Sequence, residues 1–438
     1  MMIQVKQPAF SDPQVIDAKP EDGYWVHAMD IDGDGNTDLV ASGLTKGSVV
    51  WYKNPGKKDR TTAWTKHEIS VQDKGGVKKP VAMDIAVLDG NSHPDIALCH
   101  DYGQCMFNCG KEDGKISWLT NPGNSGGAWQ REKIGTLVAT HRLRLGHFTP
   151  TGKLQLAAFP VVGPTGGKKG VGDPALIKLY ENSSDGEWTS TVIDDQKFRI
   201  VHAIVARKFP GTPRPDLDSF IVAGKEGLAW LGYGSDGKWV RKPIGSGATP
   251  AQQSSEIPYE FQGTGNVAIG RVGGQEYACM LTVEPFHGNI LAAYTRPWGV
   301  KPFDRPWNRT VVRQFKQPVY GKDGQPKDAV GHHVVAADFD GDGDDEFLVA
   351  MRGPDPQGVF YYKFSPAGKV LIEQQISTDS AARIAVADFD RDGRLDFATT
   401  TYETEGYYKA GNPKVRVFYN DITGAHKDDP KAPPGADG

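Results

Sequence analysis

A motif of alternating aspartates and glycines occurs three times in this chain, as DIDGDGNTD at 30–38, DFDGDGDDE at 338–346 and DFDRDGRLD at 388–396. An apolar segment precedes each copy and another follows it. Degenerate copies follow in register, so that seven anchor positions can be marked at 30, 87, 147, 208, 271, 338 and 388. Intervals of 50 to 67 residues are too short for separate domains, and each repeat therefore predicts one supersecondary unit.

Each repeat has the pattern of a four-stranded propeller blade. Segments such as VVWYKNPG, ISWLTNPG, VFYYKF and VRVFYND predict a third strand, and WQREKIG and WVRKPIG a fourth. The 53 glycines and 30 prolines are spread along the chain, as short strands joined by tight turns require. We therefore predict an all-β, seven-bladed β-propeller.

The ends of the chain predict how the ring closes. The last repeat stops after its third strand, whereas SDPQVIDA precedes the first anchor and has the pattern of an unpaired strand. We expect this N-terminal strand to complete the last blade. The predicted domain spans 1–421, and the polar, proline-rich tail at 422–438 is expected to be loosely ordered.

Composition excludes several partners. Lys plus Arg number 50 and Asp plus Glu 54, with no basic stripe, so nucleic acid is not expected. No segment approaches the roughly 20 apolar residues of a membrane helix, and the first residues lack the apolar region of a secretory signal. We expect a monomer. The sequence does not assign a compartment, and we expect secretion if the protein acts on a polymer. Cys99, Cys105 and Cys109 fit a zinc site, a disulfide or buried small residues.

The three full aspartate motifs predict metal loops. Oxygen ligands at every second position of a glycine-bearing turn suit a hard cation such as calcium. An EF-hand is excluded because no glutamate closes a twelve-residue loop. We expect structural calcium that braces the turns. The candidate ligands are Asp30, Asp32, Asp34, Asp38, Asp338, Asp340, Asp342, Glu346, Asp388, Asp390, Asp392 and Asp396.

A fixed offset of six residues before each anchor marks where the innermost strands should begin. The positions are Tyr24, Val81, His141, His202, Gly265, His332 and Ala382. If the blades superimpose, three histidines and a tyrosine converge at one end of the central channel. Imidazoles suit proton transfer near neutral pH. The same three could alternatively hold zinc or another divalent ion with an open position.

Loops between the second and third strands open on the same face and carry further reactive groups. Tyr102 or His100 could act as acid or base in place of one histidine. Expected substrate contacts are His332, Tyr24, Tyr402, Lys225, Glu284, His287, Arg142 and Arg352.

The segments DGYWV, PVAMD, THRLRLGHFT, VAGKEGLAWL, EPFHGN, GHHVVAADFDGDGDDEFLVAM and AARIAVADF together resemble the propeller domain of fungal aldos-2-ulose dehydratases. The same propeller is similar to that of fungal L-rhamnose-α-1,4-D-glucuronate lyases, and the aspartate loops resemble FG-GAP loops of integrin-type propellers. Both enzyme families eliminate an oxygen substituent β to an acidic carbon. The dehydratase resemblance implies that His141 and His202 are the acid/base pair, with His332 nearby.

The resemblance implies a carbohydrate lyase acting on an acidic plant polysaccharide or a small sugar. The dehydratases continue into cupin domains, whereas this sequence stops after its propeller, and this difference favours the lyase. We therefore expect release of L-rhamnose from glucuronate caps of gum arabic-type arabinogalactan, leaving an unsaturated uronate. Arg142 and Arg352 are expected to neutralise the carboxylate, although Arg142 directly follows His141 and in a regular strand would point the other way. The alternatives are dehydration of aldos-2-uloses or 1,5-anhydro-D-fructose, and a non-catalytic, calcium-dependent propeller that binds glycans or proteins.

Overall fold

Seven four-stranded antiparallel sheets form the fold, which confirms the predicted seven-bladed β-propeller. The computed structural model describes residues 6–424 except 57–59, 89–91, 104, 106–108, 124–126, 166–171, 184–185, 250–261, 316–329, 405–407 and 410. Within this part of the chain the only helix is a single 3₁₀ turn, Gln72–Lys74, and no helix is long and apolar enough to cross a membrane.

Blades are numbered in chain order, and each blade's strands are given from the channel outward. Blade 1 contains β2 (Trp25–Met29), β3 (Asp38–Ser42), β4 (Ser48–Lys53) and β5 (Thr65–Val71). Blade 2 contains β6 (Ala82–Ala86), β7 (Asp95–His100), β8 (Lys115–Thr120) and β9 (Gln130–Thr136). Blade 3 contains β10 (Thr140–Gly146), β11 (Gln155–Pro160), β12 (Ile177–Asn182) and β13 (Trp188–Asp194).

The remaining blades follow the same order. Blade 4 contains β14 (Val201–Lys208), β15 (Asp218–Gly224), β16 (Gly227–Tyr233) and β17 (Trp239–Gly245). Blade 5 contains β18 (Asn266–Val272), β19 (Gln275–Glu284), β20 (Ile290–Thr295) and β21 (Asn308–Gln314). Blade 6 contains β22 (Gly331–Ala337), β23 (Glu346–Arg352), β24 (Gln357–Phe364) and β25 (Val370–Ser377).

Blade 7 closes the ring with strands from both ends of the chain. It contains β26 (Arg383–Ala387), β27 (Asp396–Thr400), β30 (Val415–Phe418) and, outermost, β1 (Gln14–Asp17). A small hairpin, β28 (Glu403–Thr404) and β29 (Tyr408–Lys409), lies between β27 and β30. Antiparallel pairing of β1 with β30 confirms the predicted closure. Ile422 is buried and its amide donates to Asn420; most of the predicted tail, from 425 on, lies outside the described residues.

The core lies between neighbouring blades. Middle strands such as β23 and β27 are buried along their whole length, because both faces of each sheet are covered by another blade and their runs are accordingly apolar. Outer strands such as β9 and β21 are largely exposed. Each inner strand also contacts the inner strands on both sides, including β26 with β2, so the channel wall is continuous.

Asparagines at the ends of third strands link successive blades. The side-chain amides of Asn54, Asn121 and Asn420 donate to the carbonyls of Phe389, Ile31 and Phe339 at 2.8, 2.8 and 2.7 Å. Each acceptor lies in the neighbouring blade. These buried bonds fix the aspartate-loop end of adjacent blades against each other.

The two ends of the channel differ in chemistry. The aspartate loops follow the ends of inner strands β2, β22 and β26, whereas His141, His202 and His332 lie at or next to the first residues of β10, β14 and β22. All seven positions selected by the six-residue offset are buried. The histidines and the aspartate loops are therefore at opposite ends of the inner strands.

Candidate functional site

Each of the three predicted histidines occupies an irregularity in its inner strand. Pairing of β10 with β11 shifts between Thr140 and Arg142, and that of β14 with β15 shifts between Val201 and Ala203. The register of β22 against β23 shifts in the same way across His332. A β-bulge adds one unpaired residue and redirects its side chain. The bulges therefore free the three imidazoles from the regular alternation of the sheets.

His202, His287 and His332 form a group of three imidazoles from three blades. His202 Nε2 lies 3.0 Å from His287 Nε2, and one ring nitrogen of each residue lies within 4.8 Å of the other two. His202 Nδ1 donates to the Gly265 carbonyl at 2.7 Å, and His332 Nδ1 donates to the Ala382 carbonyl. A donating Nδ1 leaves Nε2 as the lone-pair atom in a neutral ring. His332 Nε2 is buried and has no partner among the described residues.

His141 lies beside this group and contacts two further polar side chains. Its ring centroid is 5.2 Å from that of His202. The Tyr24 hydroxyl lies 3.2 Å from His141 Nε2. Arg142 Nη1 lies 3.0 and 3.1 Å from the two ring nitrogens. Because a guanidinium can only donate, this contact requires an unprotonated ring nitrogen on His141.

Burial disfavours the protonated form of three of these imidazoles, those of His141, His202 and His332. Burial lowers the pKa of His141 well below its ordinary value, and the neighbouring Arg142 lowers it further. Burial likewise lowers the pKa of His202 and of His332, and His287 adds to both shifts. Neutral imidazoles can accept a proton or bind a metal ion.

Two tyrosines and an arginine complete the wall of the site. The ring of Tyr102 lies 5.5 Å from that of His141, and burial raises its pKa. The ring of Tyr402 lies 4.9 Å from that of His332, and the Arg352 guanidinium lies 4.8 Å from the Tyr402 centroid. The structure thus brings together eight of the predicted residues. They are Tyr24, Tyr102, His141, Arg142, His202, His287, His332 and Tyr402, with Arg352 behind Tyr402.

Three further predicted site residues, His100, Lys225 and Glu284, make their described contacts outside the histidine group. His100 Nε2 lies 2.8 Å from the Ser117 hydroxyl within blade 2, and burial lowers its pKa to about 4. Lys225 lies in the turn between β15 and β16, where its backbone amide donates to the Ile200 carbonyl, and its side chain has no hydrogen bond or ion pair among the described residues.

Glu284 is engaged in a buried network of blade 5. Its carboxylate accepts from the Tyr294 hydroxyl at 2.8 Å, from Thr282 at 3.0 Å, and from Arg309 at 2.6 and 3.0 Å. All of its oxygens are therefore occupied, and we assign it a structural position.

Beside Arg142, a second layer of the channel contains three residues that the sequence analysis missed, namely Trp25, His333 and Arg383. The Arg383 guanidinium stacks 3.6 Å from the Trp25 centroid, and that of Arg142 lies 5.3 Å from the same centroid. Arg383 Nη2 also lies 3.1 Å from His333 Nε2. Trp25, Arg142, His333 and Arg383 each follow a position that the six-residue offset had selected. Moving the offset by one residue would have found this layer.

Phe286 is a further missed residue, with its ring 4.2 Å from that of His202. It immediately precedes His287 in the loop between β19 and β20, and the EPFHGN segment carried no signal that separated it from a core aromatic. Its ring forms an apolar wall beside the three imidazoles.

The aspartate loops bring carboxylates together as their spacing predicts. One oxygen from each of Asp30, Asp32 and Asp38 lies within 4.8 Å of the others, and two equivalent groups are formed by Asp338, Asp340 and Glu346 and by Asp388, Asp390 and Asp396. Asp34, Asp342 and Asp392 lie outside these groups and pair with basic side chains, namely Lys53, Lys363 and Arg394. Calcium in these loops stays a prediction.

The cysteines adopt one of the three predicted arrangements. Cys105 and Cys109 form a disulfide, and Cys99 is a buried free thiol. Burial raises the pKa of Cys99, so it is an unreactive core residue.

The chain is similar to known propellers. A family profile described as the β-propeller domain of aldos-2-ulose dehydratase matches residues 113–297, and an FG-GAP-like repeat profile matches 338–399. Aldos-2-ulose dehydratase of Phanerodontia chrysosporium is 32% identical over 428 residues, which cover 93% of this chain and 45% of that protein. The chain thus spans less than half the length of this curated relative.

One solved structure shows the same fold at low identity. BBS1N, in its complex with ARL6DN, has a TM-score of 0.50 and 13% identity, with 94% of this chain and 96% of that chain covered. A lectin of Agrocybe aegerita that recognises terminal N-acetylglucosamine has a TM-score of 0.49 and 13% identity, with coverage of 82% and 81%. The likeness to BBS1N is one of fold alone. The profile matches and the curated relative show that this chain is related to the β-propeller domain of aldos-2-ulose dehydratase, as its sequence segments had indicated.

Proposed function

We propose that this chain is a carbon–oxygen lyase that uses a divalent metal ion and acts on a keto sugar of the aldos-2-ulose or 1,5-anhydro-D-fructose class. The convergence of His202, His287 and His332 carries the proposal. The curated relative, named aldos-2-ulose dehydratase, is 32% identical over 93% of this chain, which supports the same class of reaction.

The three imidazoles fit a transition-metal ion such as zinc. Their nitrogens are grouped, two rings are oriented by backbone carbonyls, and His332 Nε2 is buried without a partner among the described residues. Ligation by three histidines occurs in catalytic zinc sites, which keep a fourth position open. When bound, such an ion would supply Lewis acidity to a sugar carbonyl.

His141 is the base in this proposal. Its lowered pKa keeps it neutral, so it can take the proton from the carbon next to the carbonyl. The electron pair of that C–H bond becomes the new C=C bond, and the C–O bond at the β carbon breaks. The departing oxygen takes a proton from Tyr102, whose raised pKa keeps its hydroxyl protonated. The products are an unsaturated keto sugar and water.

Glucuronate elimination is a second candidate, and Arg142 favours it. Arg142 is fully buried, and its Nε and Nη2 have no partner among the described residues. A buried guanidinium with unused donors beside the base suits a substrate carboxylate, which it would bind through charge-assisted hydrogen bonds. Under this candidate His141 takes the C5 proton, and the electron pair of that C–H bond becomes the C4=C5 bond as the C4–O bond breaks. The departing rhamnose oxygen takes a proton from Tyr102.

The test compares three substrates with the zinc-loaded wild-type chain. 1,5-Anhydro-D-fructose, an aldos-2-ulose and gum arabic are incubated separately, and the ultraviolet absorbance of a conjugated product is followed together with free rhamnose. We expect absorbance to rise with the keto sugars. Rhamnose release from gum arabic would instead establish the second candidate. A flat trace with all three would reject both and favour a binding propeller.

A further inference from the structure

A lysine ammonium lies inside the aspartate loop of blade 6. Lys363 Nζ lies 2.7 Å from Asp340, 2.8 Å from Asp342 and 2.6 Å from Glu346. The Lys363 side chain is 5% exposed and extends from the buried strand β24. These carboxylates are three of the four predicted calcium ligands of this loop. The ammonium therefore contacts the oxygens that an ion would need.

The remaining oxygens of the loop are also engaged. The second oxygen of Glu346 accepts from the amides of Phe339 and Asp340 at 2.9 and 3.2 Å. The two oxygens of Asp338 accept from the amides of Asp342 and Gly343 at 3.1 and 2.9 Å. An ammonium has three donors, and Lys363 uses one on each carboxylate. The set is thus satisfied without an ion.

A lysine also contacts the aspartate loop of blade 1, although it reaches two carboxylates there and not three. Lys53, at the end of β4, occupies the position that Lys363 has in the third strand of blade 6. Its Nζ contacts Asp32 and lies 2.9 Å from Asp34. Its side chain is 33% exposed, so this contact is more open than that of Lys363.

Blade 7 differs because Tyr419 stands at the lysine position. Its loop receives Arg60 from blade 1, with Nε 2.7 Å from Asp390 and Nη2 3.4 Å from Asp392. Arg60 lies over the Tyr419 ring at 4.7 Å and is 24% exposed. Arg60 lies in the connection between β4 and β5, and Arg394 of the loop itself also pairs with Asp392. Neither cation extends from a buried strand as Lys363 does.

Lysine and calcium cannot share the blade 6 loop. Calcium takes carboxylate oxygens at about 2.3–2.6 Å and needs six or more oxygen ligands. Bound to the same three carboxylates, it would lie only a few ångströms from the ammonium, and two cations at that distance repel strongly. The residues present therefore do not fit the ion that the loop spacing predicts.

We propose that Lys363, and Lys53 at the equivalent position, replace calcium as the cation of their loops, so that blades 1 and 6 are braced without metal. The loop at 388–396, which has no such lysine, is the one of the three that can take calcium. This departs from the expectation that all three loops bind the ion. It is independent of the proposed catalytic function.

The test counts calcium ions per chain by equilibrium dialysis on the full-length protein. We expect the wild type to bind at most one ion and Lys363→Met to bind one more, because methionine keeps the apolar stem and frees the three carboxylates. Lys369→Met, on an exposed residue of the same blade, should match the wild type.

Two results would overturn the proposal. One is a wild type that binds calcium in the blade 6 loop, detected as a lower count in Asp340→Asn. The other is a folded Lys363→Met that gains no ion. If Lys363→Met does not fold even with calcium, Lys53→Met decides, since its loop is more exposed; an unchanged count there would contradict the proposal equally.

Discussion

His141 and Arg142 are successive residues of β10, yet Arg142 Nη1 lies 3.0 Å from His141 Nδ1. A regular strand would place the two side chains on opposite faces. The register shift between Thr140 and Arg142 removes this restriction and brings an imidazole and a guanidinium to one place in the channel. The same irregularity occurs at His202 and His332. Three inner strands of this propeller therefore carry a bulge at the equivalent position.

Arg142 is expected to distinguish acidic from neutral sugars. Replacing it with methionine should weaken glucuronate binding by about 10- to 100-fold, the usual range for losing a hydrogen bond to a charged group. Binding of the neutral 1,5-anhydro-D-fructose should change much less. Titration calorimetry with both sugars checks this, with Arg131→Met, on the outer strand β9, as the control. Equal losses for both sugars would show that Arg142 supports the site without contacting a carboxylate.

Loss of one imidazole is expected to release zinc. His332→Ala removes one of three nitrogen ligands, and zinc affinity should fall by more than about 100-fold, beyond the usual cost of losing an outer partner of a ligand. Competition with a chromogenic chelator measures the affinity. His147→Ala, an exposed histidine at the opposite end of β10, should retain the wild-type affinity. An unchanged affinity in His332→Ala would remove this histidine from the metal group.

Glu284 is expected to act on stability and not on turnover. Glu284→Ala leaves Arg309 and the Tyr294 hydroxyl without their acceptor, at a cost of about 3 kcal/mol in the free energy of unfolding. Urea unfolding measures the loss, and kcat of the folded variant should stay near wild type. Glu276→Ala, on the same strand but 60% exposed, should cost less than about 0.5 kcal/mol. A large fall in kcat with normal stability would contradict the structural role and indicate that Glu284 acts in the site.

His100 is expected to make the fold sensitive to acid. Its folded pKa is about 4 against an ordinary value of 6.5. Between these values the unfolded chain takes up a proton here that the folded chain does not, so the free energy of unfolding falls as pH drops from 6.5 to 4. The effect of this residue is about 3 kcal/mol.

His100→Gln should remove that part of the pH dependence while leaving the contributions of the other histidines. Urea unfolding at both ends of the window gives the comparison. Parallel pH profiles for wild type and variant would mean that His100 is not held neutral by burial.

Much of the fold could be predicted because the repeat is visible in the sequence. The aspartate motifs and third-strand segments have fixed spacing, and the chain ends leave one strand missing from the last blade, which β1 fills. Register between repeats then located His141, His202 and His332 on one end of the channel. Periodic patterns carry this information because each blade must bury the same faces.

The remaining features of the site depend on local geometry that spacing does not encode. A bulge adds one residue without a distinctive sequence, so the orientation of Arg142 could not be predicted. Glu284 and His287 lie in one short segment, yet one is held by Arg309 while the other contacts His202. Which loop residue reaches the channel is decided by packing around it. Lys53 and Lys363 were part of the predicted third strands, but their ion pairs become visible only in three dimensions.

The turnover of His141→Ala tests the central claim most directly. With zinc bound and keto sugar saturating, we expect kcat to fall by about 100- to 10,000-fold, the usual contribution of a positioned base, while His147→Ala keeps wild-type kcat. Zinc affinity of His141→Ala should be unchanged, since His141 is outside the three-imidazole group. Wild-type turnover in a zinc-loaded His141→Ala would contradict the assignment of this channel end as the site of elimination.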